Sequence, residues 1–346
     1  MLLRAKDLGE WKIIDIFHKN LEEAPDLLVP FGDDVSVVDL GKDALAAIKT
    51  DMLVASTDVP SGMTDWQVGR KAVVGTISDF AAKGVEPKAV LVSLGIPAEY
   101  SKISLEALAK GVNAGAREYG AFVLGGDTNE SRDLVIAVML LGATKKGQIT
   151  LRSTAKPNDI VAVTGPFGKT SAGLQCLVDK TVRIRRKLEA ELLEAVYMPK
   201  ARLNEGLTLS RRGLATSIID SSDGLAWSLH ELSRSSRRGF IVDKLPTTES
   251  VKEYAKMSNI KLEDLILYGG EEYELVMTVK QKKWEEAKEA IEQVGGKLIR
   301  IGRTTRERGV RYKRGRETII IESRGWEHFK SGDQNKDTLA RRFRQR

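Results

Sequence analysis

Two periodicities alternate along this chain. Leu8, Trp11, Ile14, Ile16 and Phe17 recur at helical spacing and predict an amphipathic helix over residues 6–20. A proline-broken loop follows, and then short apolar runs at Val35–Leu40, Ala44–Lys49 and Met52–Ala55 predict strands. Trp66–Lys83 returns to the helical period, with a face of Ala72, Gly75, Ser78, Ala81 and Ala82 small enough for close packing. Ala89–Leu94 reads as a strand, and Leu105–Tyr119 as a helix stopped by Gly120. Phe122–Leu124 and Leu134–Leu141 read as strands, with a Gly125-Gly126-Asp127 turn following the first.

Around Gly147–Pro157 the chain turns polar, and the alternation starts again. Asp159–Thr164, Ser217–Asp220, Glu274–Lys280 and Lys297–Gly302 predict strands; Ser171–Asp179, Lys187–Ala195, Leu225–Arg234 and Lys282–Val294 predict helices. Both halves mix the two element types, so the expected class is α/β with mixed sheets, in two domains covering 1–148 and 149–330. Residues 331–346 read as a basic, flexible tail. Ser78-Asp79 and Ser222-Asp223 are spaced like Gly125-Gly126-Asp127 and Gly269-Gly270-Glu271, but two short matches do not establish a duplication.

Composition narrows the function classes. With 346 residues, 42% of them hydrophobic and 30% charged, the chain has the makings of a soluble globular protein. Its single cysteine, Cys176, excludes an intramolecular disulfide and a cysteine-rich zinc site. Cys176 lies in an apolar helical pattern, which favours buried packing over nucleophilic chemistry and suits a reducing cytoplasm. No apolar run approaches the ~20 residues a membrane span needs. Arg4, Lys6, Asp7 and Glu10 interrupt any signal-peptide pattern. The net charge of +7 is concentrated in the segment from Lys330 onward, in Arg183–Lys187 and in Arg306–Arg316. None of these runs is interleaved with aromatics, so solvated surface is the preferred reading and an RNA-associated binding protein the competing one.

Against this basic background, carboxylates gather beside glycines and strand ends: Gly32-Asp33-Asp34, Thr50-Asp51, Ser78-Asp79, Gly125-Gly126-Asp127, Asp220-Ser221-Ser222-Asp223-Gly224 and Gly269-Gly270-Glu271-Glu272. Packed carboxylates repel unless cations sit between them, and hard divalent cations take oxygen ligands. A site for several Mg²⁺ ions around nucleotide phosphates follows. Each cluster taken singly is equally well a turn or a helix cap.

Three other chemistries are rejected. Gly165-Pro-Phe-Gly168-Lys169-Thr170 has two residues between its glycines where a P-loop needs four. Asp220–Gly224 has its glycine one place early for a calcium loop, and a strand where a helix should precede it. His18, His230 and His328 form no metal or triad pattern. Without a proton-transfer histidine or a reactive cysteine, the chemistry would have to come from metals and positioning. Phosphoryl transfer onto a phosphate suits that, because an ionised acceptor needs no general base.

These motifs, with Phe80-Ala81-Ala82-Lys83-Gly84, Tyr273-Glu274-Leu275 and Gly325-Trp326-Glu327-His328-Phe329, together resemble the thiamine-monophosphate kinases. Those kinases belong to the ATP-binding aminoimidazole-ribonucleotide synthetase superfamily, and the resemblance runs in order over about residues 1–330. It implies two α/β domains, N-terminal domains paired in a homodimer, and transfer of the γ-phosphoryl of ATP to thiamine monophosphate. It also implies Mg²⁺ on Asp34, Thr50, Asp51, Asp79, Asp127 and Asp220, with Asp223 on a further ion. Gly126, Asp127, Arg152 and Ser222 would serve ATP; Asp58, Glu271 and Trp326 would serve the acceptor. Asp58 stands where bacterial members carry His, and Lys49 replaces a small hydroxyl residue before Thr50. A superfamily relative that activates an amide or formyl oxygen is the alternative enzymatic reading.

Overall fold

The computed structural model describes residues 3–22 and 28–329. The N-terminal half runs α1 (Ala5–Leu8), α2 (Glu10–Lys19), β1 (Ser36–Gly41), β2 (Ala44–Val54), α3 (Ala55–Asp58), α4 (Asp65–Lys83), β3 (Glu86–Ile96), α5 (Lys102–Glu118), β4 (Phe122–Glu130) and β5 (Val135–Lys145). The C-terminal half runs β6 (Ile160–Val163), α6 (Lys169–Val178), α7 (Arg186–Tyr197), α8 (Leu203–Arg211), β7 (Ala215–Asp220), α9 (Leu225–Ser236), β8 (Gly239–Val242), α10 (Glu249–Ser258), α11 (Leu262–Tyr268), β9 (Leu275–Val279), α12 (Trp284–Gln293), β10 (Ile299–Thr305), β11 (Val310–Arg314) and β12 (Glu317–Ile320). The first half forms a five-stranded sheet ordered β1-β2-β5-β3-β4, and the second a seven-stranded sheet ordered β12-β11-β8-β10-β6-β9-β7. Both sheets mix parallel and antiparallel pairs, as expected for the class.

Helix α4 joins the halves. Thr64 and Gln67 close a capping box at its start, and Gly84 ends it in the left-handed conformation. Nearly every residue from Val68 to Lys83 is buried, so the helix is enclosed all round rather than on one stripe. It packs on β2 and β5 of the first sheet, on α5, and on α8 and β7 of the second half. The close approach to α8 depends on Gly206, where a Cβ would lie 1.9 Å from the Ala81 carbonyl oxygen. One hydrophobic core therefore runs from Val37, Leu45 and Ile136 through Ile77 and Phe80 into Leu209, Ile218 and Met277.

Several elements depart from the sequence reading. The first helix is broken at Gly9 (φ 76°) into α1 and α2. The predicted strands Ala44–Lys49 and Met52–Ala55 are one strand as far as Val54, because Lys49-Thr50-Asp51 continues the ladder with β5 despite its polarity, and Ala55 opens α3. Gly125-Gly126-Asp127 is not a turn: it lies inside β4, paired with Leu91, Val92 and Ser93. Glycine is required at 126, where a Cβ would come within 1.7 Å of the Val92 carbonyl oxygen. The region read as Lys282–Val294 begins with a 3₁₀ turn at Gln281–Lys283 before α12. Helices α8, α10 and α11 and strands β8, β11 and β12 were not anticipated. Gly269–Glu271 is loop while Gly125–Asp127 is strand, so the repeated spacing joins unlike elements.

Part of the basic run Arg306–Arg316 forms β11, and Arg314 there pairs with Glu263 and Glu317 on the surface. The segment from Lys330 onward lies outside the described residues. Cys176 is buried beside Ala172, Leu192 and Tyr254, and burial pushes its thiol up to about 11.

Candidate active site

Three carboxylates converge where the halves meet. Asp79 projects from the penultimate turn of α4, Asp220 ends β7, and Asp34 lies in the turn before β1; all three are buried. One oxygen from each lies within 4.8 Å of the others. Ser78 Oγ donates to Asp220 Oδ2 at 2.9 Å, across the join between the halves.

Three cations hold this cluster together. The fully buried Lys83 ammonium lies 2.7 Å from both Asp33 Oδ1 and Asp34 Oδ2, and donates to the carbonyls of Thr150 and Ile218. The Arg152 guanidinium bonds Asp34 and the Gly32 carbonyl oxygen. Lys49 Nζ lies 3.2 Å from Asp51 Oδ1 and 3.1 Å from Asp79 Oδ1.

These groups titrate unequally. Burial opposes the charge on Asp34, but Arg152 and Lys83 outweigh it and hold the carboxyl below the usual range. Burial raises Asp79 well above that range despite Lys49. Burial, with Asp34 nearby, pushes Asp220 up to about 6. Burial, then Glu10 and Asp220, pushes Asp223 up to about 7. Burial also opposes the charge of Lys49, yet Asp79, Asp51 and Asp220 raise its pKa above the usual lysine range.

Asp33, Asp34, Asp51, Asp79, Asp220 and Asp223 thus outnumber Lys49, Lys83 and Arg152. The donors are carboxylate oxygens, the negative charge is in surplus, and burial raises the pKa of Asp79, Asp220 and Asp223, which a bound cation would offset. That set fits a hard divalent ion such as Mg²⁺.

Beside the cluster, the Asp220–Gly224 loop opens α9. Neither Ser222 nor Asp223 caps this helix: the N-cap is Gly224, so no side chain accepts from its first-turn amides. The start of α6 differs. There the amides of Gly168 and Thr170 donate to Glu272 Oε1 at 2.7 and 3.2 Å, so the loop that resembles a P-loop already holds an internal carboxylate.

The Gly269–Tyr273 loop leans on the Asp220–Gly224 loop through Glu271 N to Ser222 O (2.6 Å) and Tyr273 N to Ser221 O (3.0 Å). Glu271 and Tyr273 both have positive φ, 61° and 52°, a strained conformation that concentrates at functional sites. The buried Lys71 fixes Glu271, with Nζ 2.6 Å from its Oε1 and 2.8 Å from the Asp58 carbonyl oxygen. The carboxylate of Asp58 accepts from Val54 N at 2.7 Å and so serves the end of β2. Half-buried Trp326 donates its backbone N–H to Asp223 O and meets His328 edge-on at 5.7 Å. His328 N in turn donates to Glu10 Oε2 at 3.1 Å, which brings α2 to the same rim.

The structure therefore brings Asp34, Asp51, Asp79, Asp220, Asp223, Arg152, Ser222, Glu271 and Trp326 into one region, and leaves Thr50 and Asp127 apart from it. Asp51, Val138, Val92 and Gly126 lie in one row across the sheet. Gly126 is thus three strand spacings, roughly 14 Å, from Asp51. Alternation along each strand places Thr50 and Asp127 on the opposite, uncovered face, and both are exposed.

Sequence reasoning missed Lys83, Lys71 and Glu10. The signal for the two lysines was their place in a helix of apolar and small residues, where a charged group must be paired. Glu10 carried no comparable signal.

A family model for the AIR synthase related protein N-terminal domain matches residues 32–144, and one for the C-terminal domain matches residues 156–314. Those matches define the class as a two-domain protein of the AIR synthase type. Thiamine-monophosphate kinase from Nitrosopumilus maritimus is 35% identical over 323 residues, covering 93% of this chain and 99% of the relative. The Pyrococcus abyssi enzyme is 38% identical over 327 residues, covering 94% and 97%. A solved structure of AaThiL complexed with AMPPCP and TMP superposes with a TM-score of 0.81 at 27% identity, over 95% of this chain and 99% of that one. The chain belongs to the thiamine-monophosphate kinase family.

Proposed function

We propose that this protein transfers the γ-phosphoryl group of ATP to the phosphate of thiamine monophosphate, giving thiamine diphosphate and ADP in a Mg²⁺-dependent reaction. The observation that carries this reading is the buried cluster of Asp34, Asp79 and Asp220, beside the uncapped start of α9, in a chain of this family. Bound Mg²⁺ offsets phosphate charge and polarises the group in transfer.

The chain's own residues bind and orient. Asp34, Asp51, Asp79 and Asp220 would hold the ions, and Asp223 a further one. Ser222 and the first amides of α9 receive phosphate oxygens. Arg152, whose planar fork bonds Asp34 here, would reach the nucleotide phosphates. Glu271, fixed by Lys71, and Trp326 receive the acceptor, whose cationic ring is favourable against an indole face. The acceptor phosphate is ionised, so no side chain needs to remove a proton.

The reading includes a homodimer. Val38, Leu40, Met52, Leu91, Phe122 and Leu141 leave the outer face of the first sheet apolar and exposed. A second copy covers that face, and Gly126, Asp127 and Thr50 then serve the phosphates from the paired sheets. Sedimentation at micromolar concentration should show a dimer; a species of only 38.1 kDa would remove this part of the reading. The expected compartment is the cytoplasm, where ATP and Mg²⁺ are supplied. The proposed domains, 1–148 and 149–330, then meet at the carboxylate cluster.

Purified protein incubated with ATP, Mg²⁺ and thiamine monophosphate should form thiamine diphosphate and ADP in equal amounts, and neither with thiamine as acceptor. ADP without thiamine diphosphate would point to amide activation instead, and the absence of both products would defeat the enzymatic reading.

A further inference from the structure

Alternation along β2 puts Lys49 on the same inward face as Leu45, Ala47 and Leu53, opposite Asp79 of α4. Its ammonium ends between two carboxylates, 3.2 Å from Asp51 and 3.1 Å from Asp79. Asp79 is also a member of the three-carboxylate cluster with Asp34 and Asp220. A divalent ion bridging Asp51 and Asp79 would need oxygens at about 2.0–2.1 Å on either side, in the space the ammonium fills. Only about a quarter of the Lys49 side chain is exposed (24%), so it is part of the packed site and not a surface lysine folded back.

We propose that Lys49 is a built-in cation of this active site, standing in for one divalent ion between Asp51 and Asp79, so that the protein binds one Mg²⁺ fewer than its carboxylates could hold. This rests on the kinase reading of the metal site. A tethered charge between Asp51 and Asp79 is present at any Mg²⁺ concentration. It fixes the separation of the two acids, and Asp79 stays available to an ion shared with Asp34 and Asp220. Lys49 is a positioning residue here, acting through Asp51 and Asp79.

The test counts metal and does not depend on turnover. Wild type, Lys49→Ser and Lys49→Arg are equilibrated with Mn²⁺ and saturating AMPPCP, and free Mn²⁺ is read by electron paramagnetic resonance. Lys49→Ser should bind one more Mn²⁺ per chain than wild type, and Lys49→Arg the wild-type number. Should Lys49→Ser fold poorly, Lys49→Gln, neutral and of similar length, should show the same gain. Equal non-zero counts in wild type and the neutral variants would overturn the inference and leave the metal site standing. No Mn²⁺ bound to any of the proteins beyond that carried by the nucleotide would overturn the metal site and the inference together.

Discussion

Replacing Asp220 with Asn should lower turnover by roughly 10²–10³-fold, the scale of losing one preorganised group that stabilises transition-state charge, while the protein without metal keeps its fold. Asn retains an oxygen for the 2.9 Å bond from Ser78 Oγ, so local geometry survives. What disappears is a buried negative charge. Burial and Asp34 raise the Asp220 pKa to about 6 from its ordinary 3.8. A raised acid contributes stability that is full below pH 3.8 and is lost as pH rises through about 6. Above that, ionised Asp220 costs the metal-free protein on the order of 3 kcal/mol, a loss the Asn variant does not suffer.

Mg²⁺ inverts the balance, because it binds the ionised form. Thermal melts with and without Mg²⁺ should therefore show stabilisation of wild type that is larger at pH 8 than at pH 5.5. Asp220→Asn should show a smaller Mg²⁺ shift, and a metal-free stability at pH 8 at or above that of wild type. Wild-type turnover in the variant, or an undiminished Mg²⁺ shift, would remove Asp220 from the metal site.

The parts of this site that were legible in the sequence are those where chemistry overrode local propensity. A strand interrupted by Lys49-Thr50-Asp51, or a packed helix carrying Ser78-Asp79, makes sense only if something pairs with the polar groups. The same polarity hid the structure around it. It divides β2 into two apolar runs along the sequence, while the ladder with β5 runs through regardless. Gly125-Gly126-Asp127 misled for the converse reason. Paired glycines read as a turn, yet Gly126 serves close strand approach beside Val92, and pairing partners are set by tertiary contact. The face on which Thr50 and Asp127 lie depends on register across four strands, which no short motif encodes. The missed β11 and β12 lie at the edge of the second sheet, where charged residues mask the strand pattern.

The largest loss of stability should come from a residue that touches no substrate. Lys83→Met keeps the length of the side chain and removes a fully buried ammonium that faces Asp33, Asp34 and the carbonyls of Thr150 and Ile218. Those partners lie in the turn before β1, in the segment linking the halves, and in β7 of the second sheet. One cation therefore ties three distant parts of the chain. Removing one partner of a buried ion pair typically costs about 3–5 kcal/mol, because the other charge is left uncompensated. Against net stabilities of about 5–15 kcal/mol for a folded protein, that is a large share.

Guanidinium chloride midpoints should fall accordingly for Lys83→Met. Asp34→Asn combined with Lys83→Met should lose less than the sum of the two single changes, since the carboxylate that Lys83→Met strands is the one Asp34→Asn neutralises. Mg²⁺ separates charge from packing. If the ammonium acts by balancing Asp33 and Asp34, then Mg²⁺ drawn to those carboxylates should restore part of the lost stability in Lys83→Met. A loss that Mg²⁺ leaves untouched, with additive double-variant effects, would assign Lys83 to packing alone.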